Sequence, residues 1–168
     1  MSAAQYVARL RSLVEGKDPI AVQTETPAAL ERLIASIPPD RLNRPPAPGK
    51  WSLAAITAHL AEGEMALSWR YRQIAEKEGV ALAGYDQNLW CRLGDYDSRD
   101  PQESLTQFRL LREANLRMFA RLTPDEWQRS GVHAERGRLT MKDLVAQAAG
   151  HDLSHLRQAE HVVAAVSE

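Results

Sequence analysis

Two histidines one helical turn apart carry the clearest chemical content of this 168-residue chain. Around them the apolar positions run Met141, Leu144, Ala148, His151, His155, Ala159, Val162 and Val166, spaced by 3, 4, 3, 4, 4, 3 and 4. That spacing draws a buried stripe on one helix, so both histidines occupy the face that packs inward. A buried imidazole needs a partner on each nitrogen, and two in succession make that demand costly. One divalent cation would satisfy a nitrogen of both; backbone carbonyls or waters would also serve, which leaves a plain core role open. His59 adds a third imidazole. It lies beside Leu60 and one turn before Gly63, on the flank of another apolar stripe, and Gly63 leaves space next to it. Three imidazoles from two helices plus a water form the open catalytic pattern of Zn²⁺, which Ni²⁺ and Fe²⁺ also accept.

Other polar residues are weaker candidates. Asp152 points about 100° away from its histidine neighbour, so it reads as a solvated group or an acceptor behind a ligand. Glu62 and Glu64 read as surface residues flanking His59. Tyr85, Asp86 and Trp90 lie in an irregular crossover that can fold over the mouth of a site, as pocket wall or as simple packing. Asn115 interrupts an apolar stripe and Arg112 lies at its edge; a buried guanidinium there would orient a substrate or pair structurally. Cys91 has no histidine beside it and reads as a small packing residue. His133 and His161 read as loop and helix-surface residues, not ligands.

The elements that must position these groups are helical. Tyr6, Leu10, Leu13 and Val14 give a short amphipathic helix ending near Gly16. Ile20, Gln23, Pro27, Leu30, Ile34 and Ile37 follow, read as one helix kinked at Pro27. Five prolines between Pro38 and Lys50 make a stiff connection. Ser52 caps the helix carrying His59, whose stripe is Leu53, Ile56, Leu60, Gly63, Leu67, Tyr71 and Ile74, and Gly79 closes it. Residues 80–100 form the crossover, with a turn or two of helix near Trp90. Asp100-Pro101-Gln102-Glu103 opens a helix to about Leu122, Thr123-Pro124-Asp125-Glu126 a single turn, and Thr140 the last helix. No strand-like alternation of useful length is visible, and His133 to Leu139 reads as a loop or short extended piece. The expected fold is all-α: a four-helix bundle with an extra N-terminal helix (1–16) and a long crossover, in one domain over residues 1–168.

Composition narrows the partners. With 21 basic against 22 acidic residues the net charge is −1, which disfavours a nucleic-acid partner. No apolar run is long enough to span a membrane, and the N-terminus has no signal-peptide pattern. The single cysteine excludes an internal disulfide framework and fits a reducing cytoplasm.

Trp51-Ser52, then Ala58-His59-Leu60-Ala61-Glu62-Gly63-Glu64, then His151-Asp152-Leu153-Ser154-His155-Leu156-Arg157-Gln158 resemble the DinB/YfiT-like superfamily. Tyr85-Asp86 to Trp90, Phe108 to Arg112 and Gly137-Arg138-Leu139-Thr140 fit the same pattern, over roughly Asp18 to Ala164. The resemblance implies a four-helix bundle holding one divalent metal ion on three histidines, and His59, His151 and His155 stand at those positions. It also implies a tendency to dimerise, and for some members thiol S-transfer or thiol-dependent isomerisation with low-molecular-weight thiols. The resulting expectation is a metal-dependent enzyme with a small-molecule substrate, most simply a thiol S-transferase. A hydrolase on the same site and a non-catalytic metal-binding stress module are the alternatives. Tyr85, Asp86, Trp90 and Arg112 are the expected substrate contacts, a homodimer the expected assembly.

Overall fold

Polar caps start most of the helices. The computed structural model describes residues 2–167. Ser2 and Gln5 form a capping box at the start of α1 (Ala3–Val14), and Asp18 caps α2 (Pro19–Ala35) by accepting from the Ile20 amide. The Ser52 hydroxyl accepts from the Ala55 amide to open α3 (Leu53–Glu76). Asp86 and Asp100 do the same for α4 (Gln87–Leu93) and α5 (Pro101–Phe119). Thr123 and Glu126 box the single turn α6 (Pro124–Gln128), and α7 (Met141–Ser167) completes the chain. Each cap satisfies amides that a helix start leaves without partners.

Helices α2, α3, α5 and α7 make the bundle, and α1 packs along α7. Gly150 permits that last contact. A Cβ at this position would run into the Leu10 carbonyl, so only glycine lets the two backbones approach so closely. Helix α2 runs through Pro27 without ending. Proline has no amide hydrogen to give the Gln23 carbonyl one turn back, and Arg112 Nη1 donates to that oxygen instead at 2.8 Å.

Three short strands depart from the all-helical expectation, although the bundle itself dominates. β1 (Val80–Leu82) pairs in parallel with β2 (Ser130–His133), which pairs antiparallel with β3 (Gly137–Thr140). Strands of three or four residues are too short for alternation to show, and β1 meets its partner only after half the bundle has intervened. The piece around His133, expected as a loop or short extended segment, is extended and supplies two strands of a small sheet.

Two apolar clusters fill the bundle. One gathers Leu30, Leu53, Ile56, Leu60, Phe108 and Val162; the other gathers Tyr71, Ile74, Phe119, Met141 and Leu144. Between them lies a polar band, contributed at the same level by Glu64 and Ser68 of α3, Arg112 and Asn115 of α5, and Asp152 of α7. All five side chains are buried.

Candidate metal centre

His59 is set by α3 and is 1% exposed; His151 and His155 are set by α7 and are partly buried. The two helices bring one ring nitrogen of each histidine within 4.8 Å of the others. His59 Nε2 and His151 Nε2 are 3.0 Å apart, and the ring centroids lie 4.4 to 5.0 Å from one another. Two ligands of a tetrahedral ion with bonds of about 2.05 Å stand roughly 3.3 Å apart, so this cluster needs little adjustment to hold one.

Electrostatics prepare the donors. Burial, with the neighbouring His155 second, pushes the His59 pKa down to about 3. Burial brings His155 down to about 4, and His151 falls well below its usual value for the same reason. All three imidazoles are therefore neutral near pH 7, the state a metal ligand requires. His155 Nδ1 lies 2.8 Å from Gln158 Oε1. An amide oxygen only accepts, so Nδ1 holds the proton and the lone pair is left on Nε2. Trp51 stacks on His155 at 6.1 Å and packs at a tilt on His59 at 4.9 Å, covering one side of the cluster with an apolar ring. The donor set suits a borderline divalent cation and offers no carboxylate that would favour calcium or magnesium.

Residues 24–159 match the DinB superfamily, a span that includes all three histidines. The chain belongs to the DinB superfamily. Among its DinB-type relatives, YfiT of Bacillus subtilis, a candidate metal-dependent hydrolase, is 25% identical over 154 residues, covering 90% of this chain and 86% of YfiT. A second candidate metal-dependent hydrolase, from Oceanobacillus iheyensis, is 25% identical over 130 residues, 76% of this chain and 73% of its own. The solved structure of YfiT, described as a four-helix bundle of unusual topology, superposes with a TM-score of 0.77 at 23% identity, over 85% of this chain and 84% of that one. A mycothiol-dependent maleylpyruvate isomerase superposes less closely, with a TM-score of 0.59 at 10% identity, covering 88% of this chain and 59% of the isomerase. At these identities the two structures establish the shared fold.

Beside the cluster opens a cavity of about 590 Å³ with His151 in its wall. Of the expected substrate contacts, Tyr85 and Asp86 line it and Trp90 does not. Trp90 instead stacks on Tyr85 with centroids 4.2 Å apart and braces that ring. The Asp86 carboxylate is engaged in accepting the Asn88 and Leu89 amides.

Arg112 lies elsewhere. It is 1% exposed and its guanidinium is consumed by the polar band: Nε and Nη2 donate to Glu64 at 2.9 Å, and Nη1 donates to Asp152 at 2.6 Å. With the Gln23 carbonyl included, one side chain of α5 ties together α2, α3 and α7. Glu64, expected at the surface, and Asp152, expected as a solvated group or an acceptor behind a ligand, are both buried partners of Arg112. Burial raises the Asp152 pKa while the guanidinium opposes it. Glu62 is not free either; it accepts from Tyr96 at 2.7 Å and Arg99 at 2.8 Å, fastening the crossover to α3.

His133, Arg70, Arg136, Gln147 and Tyr6 also line the cavity; the sequence places His133 in a loop and Tyr6 on an apolar stripe and gives none of the five a role in a site. Gln147 did leave a trace. It precedes His151 by four residues, so Gln147, His151 and His155 rise along one face of α7. The others come from α1, α3 and the β2–β3 hairpin, whose convergence no local pattern reveals.

Proposed function

We propose that this protein is a metal-dependent enzyme acting on a small molecule, with His59, His151 and His155 as ligands of one zinc, nickel or iron ion. We propose further that it transfers a low-molecular-weight thiol to an electrophile. The observation that carries the metal reading is the convergence of three neutral imidazoles. A divalent cation held there would act as a Lewis acid, lowering the pKa of a water or thiol presented to it.

The chain's own residues do the rest. Gln158 keeps the His155 proton on Nδ1, Trp51 excludes water from one side, and Tyr85, braced by Trp90, walls the cavity beside His151. Of the neighbouring carboxylates, Glu64 and Asp152 pair with Arg112, Glu62 with Tyr96 and Arg99, and Asp86 caps α4, which leaves the exposed Glu135 on the cavity wall. A thiol need only lose its proton, whereas amide hydrolysis must also deliver one to the leaving nitrogen. The shortage of a free carboxyl group thus supports thiol transfer. Hydrolysis is the second reading, favoured by the description of the Bacillus relative and by His133, a neutral imidazole in the wall of the cavity that His151 also lines.

Cys91 is not assigned a role in the reaction. Burial, then the carboxylates of Asp97 and Glu62, push its thiol pKa up, away from the reactive thiolate. The lone free thiol is also in keeping with a reducing cytoplasm. Met65 and Trp69, exposed one turn apart on α3, support assembly as a homodimer.

Metal analysis of untagged protein tests the site: about one Zn²⁺, Ni²⁺ or Fe²⁺ per chain is expected, and almost none in the His151→Ala, His155→Ala double variant. Normal metal content in that variant would overturn the assignment. Conjugation of small thiols to electrophiles, abolished by chelation and preserved in Cys91→Ser, is the expected activity. Ester or amide cleavage without thiol use would transfer the conclusion to the hydrolase reading, and inertness in both screens to a metal-binding interaction module.

A further inference from the structure

The wall of the cavity next to His151 holds an unpartnered buried amide and two guanidinium groups that pair with no carboxylate among the described residues. Gln147 is 2% exposed, and its Nε2 has no partner among the described residues. Its orientation is set by Arg136, whose Nη1 approaches Oε1 at 3.5 Å and so leaves the amide hydrogens for the other side. A buried amide without a partner is costly, and a ligand acceptor would recover that cost.

Arg70 repeats the pattern with a full charge. It is 7% exposed, donates to the Ala83 carbonyl at 2.6 Å and lies over the Tyr85 ring. None of the ion pairs among the described residues includes Arg70 or Arg136. A guanidinium this deep is ordinarily matched by a carboxylate, because burying a lone charge is expensive. His133 adds a donor: its Nδ1 accepts from the Glu135 amide at 3.2 Å, leaving the ring proton on Nε2. Apolar wall comes from Leu10, Leu67 and Leu144.

We infer that this cavity binds a small organic carboxylate, held by Gln147 Nε2 and the unpaired guanidinium groups of Arg70 and Arg136, with its apolar part against the leucines. A monoanion suits the balance of charge. Asp86 and Glu135 sit exposed among the lining residues, so the two arginines are partly offset, and a dianionic phosphate would meet too little positive charge. As a statement about substrate class, the inference rests on the metal-dependent reading. As a binding site it does not, because none of its donors is a proposed metal ligand.

The test is calorimetric titration of the full chain, as purified and after chelation, with pentanoate, 3-phenylpropionate, their neutral primary amides and inorganic phosphate. At least one acid should bind at least tenfold more tightly than its amide, before and after chelation. Gln147→Met and Arg136→Met should each weaken acid binding about tenfold, and Arg136→Met should leave amide binding unchanged. Gln147→Met replaces an unsatisfied amide with an apolar chain of similar length, so its melting temperature should hold or rise. Should it unfold, the half-exposed Arg136 carries the test. Equal affinity for acid and amide, tighter binding of phosphate, unaltered affinity in a folded variant, or no acid bound at roughly millimolar concentration would each overturn the inference. Acid binding that vanishes on chelation would assign the anion to the metal instead and likewise overturn it. A protein that purifies without metal yet binds the acids would sink the metal reading and leave this one standing.

Discussion

Arg112 shows how one side chain can organise a bundle interior. Its guanidinium faces two carboxylates, Glu64 and Asp152, each essentially removed from water. Replacing it with alanine would strand both charges, so Arg112→Ala should lower unfolding stability by about 3–5 kcal/mol in urea titrations. A loss below about 1 kcal/mol would mean that the carboxylates find other partners. The histidines make a different prediction, for metal-free protein. The ordinary pKa of 6.5 falls to about 3 at His59 and about 4 at His155, in both first through burial. Below pH 6.5 the unfolded chain takes up protons that the fold refuses, so these groups stabilise the fold above that pH and lose their contribution as pH falls. Each should remove about 1.4 kcal/mol per pH unit, down to about pH 4 for His155 and pH 3 for His59. Denaturant melts of chelated protein between about pH 7 and pH 5 check this, and a flat profile would contradict the burial argument. At this scale the metal candidates were legible because two of them interrupt an apolar stripe. Arg112 stood open between substrate contact and structural pairing, because position at a stripe's edge does not say which charges wait across the interface.

Helix α1 belongs to the site although it lies before the matched family segment, since Tyr6 and Leu10 line the cavity. Its approach to α7 depends on Gly150, where a Cβ would overlap the Leu10 backbone. Gly150→Ala should therefore loosen α1, costing about 1–3 kcal/mol and speeding hydrogen exchange over residues 3–14. Gly63→Ala is the contrast. A Cβ there would sit 3.8 Å from the Tyr85 hydroxyl and 3.9 Å from His151, ordinary contact distances, so stability should change by less than about 0.5 kcal/mol. Equal damage from both substitutions would mean that the close approach of α1 is not what distinguishes them. The helices were readable from caps and periodicity, whereas the sheet was not, beyond a loop or short extended piece over His133 to Leu139. The β1–β2 pairing joins segments some fifty residues apart, and the β2–β3 hairpin has strands of only four residues, so their backbone bonds leave little side-chain signature.

For the molecule as a whole, the proposed metal binding would be coupled to folding, because an ion held only by the folded state stabilises it. Saturation at about 100 times the dissociation constant adds about 2.7 kcal/mol, roughly 5–10 °C in melting temperature for a domain of this size. That shift should appear with Zn²⁺ or Ni²⁺ and be absent from the His59→Ala, His155→Ala variant; its survival there would place the stabilising ion elsewhere. The proposed homodimer is tested by light scattering. A mass of two chains that falls towards one in Trp69→Lys is expected if the exposed face of α3 is the interface, and a monomer at all concentrations would refute it.

Local rules were enough for the helices, their caps, the proline-rich connection and the pair of histidines on one face of α7, because each depends on residues a few positions apart. The convergence of His59 on that pair, the pairing of Arg112 with Glu64 and Asp152, and the cavity shared by α1, α3, α7 and the hairpin are set by contacts between residues 40 to 140 positions apart. Those depend on helix packing and on one close backbone crossing at Gly150, and only the tertiary structure decided them.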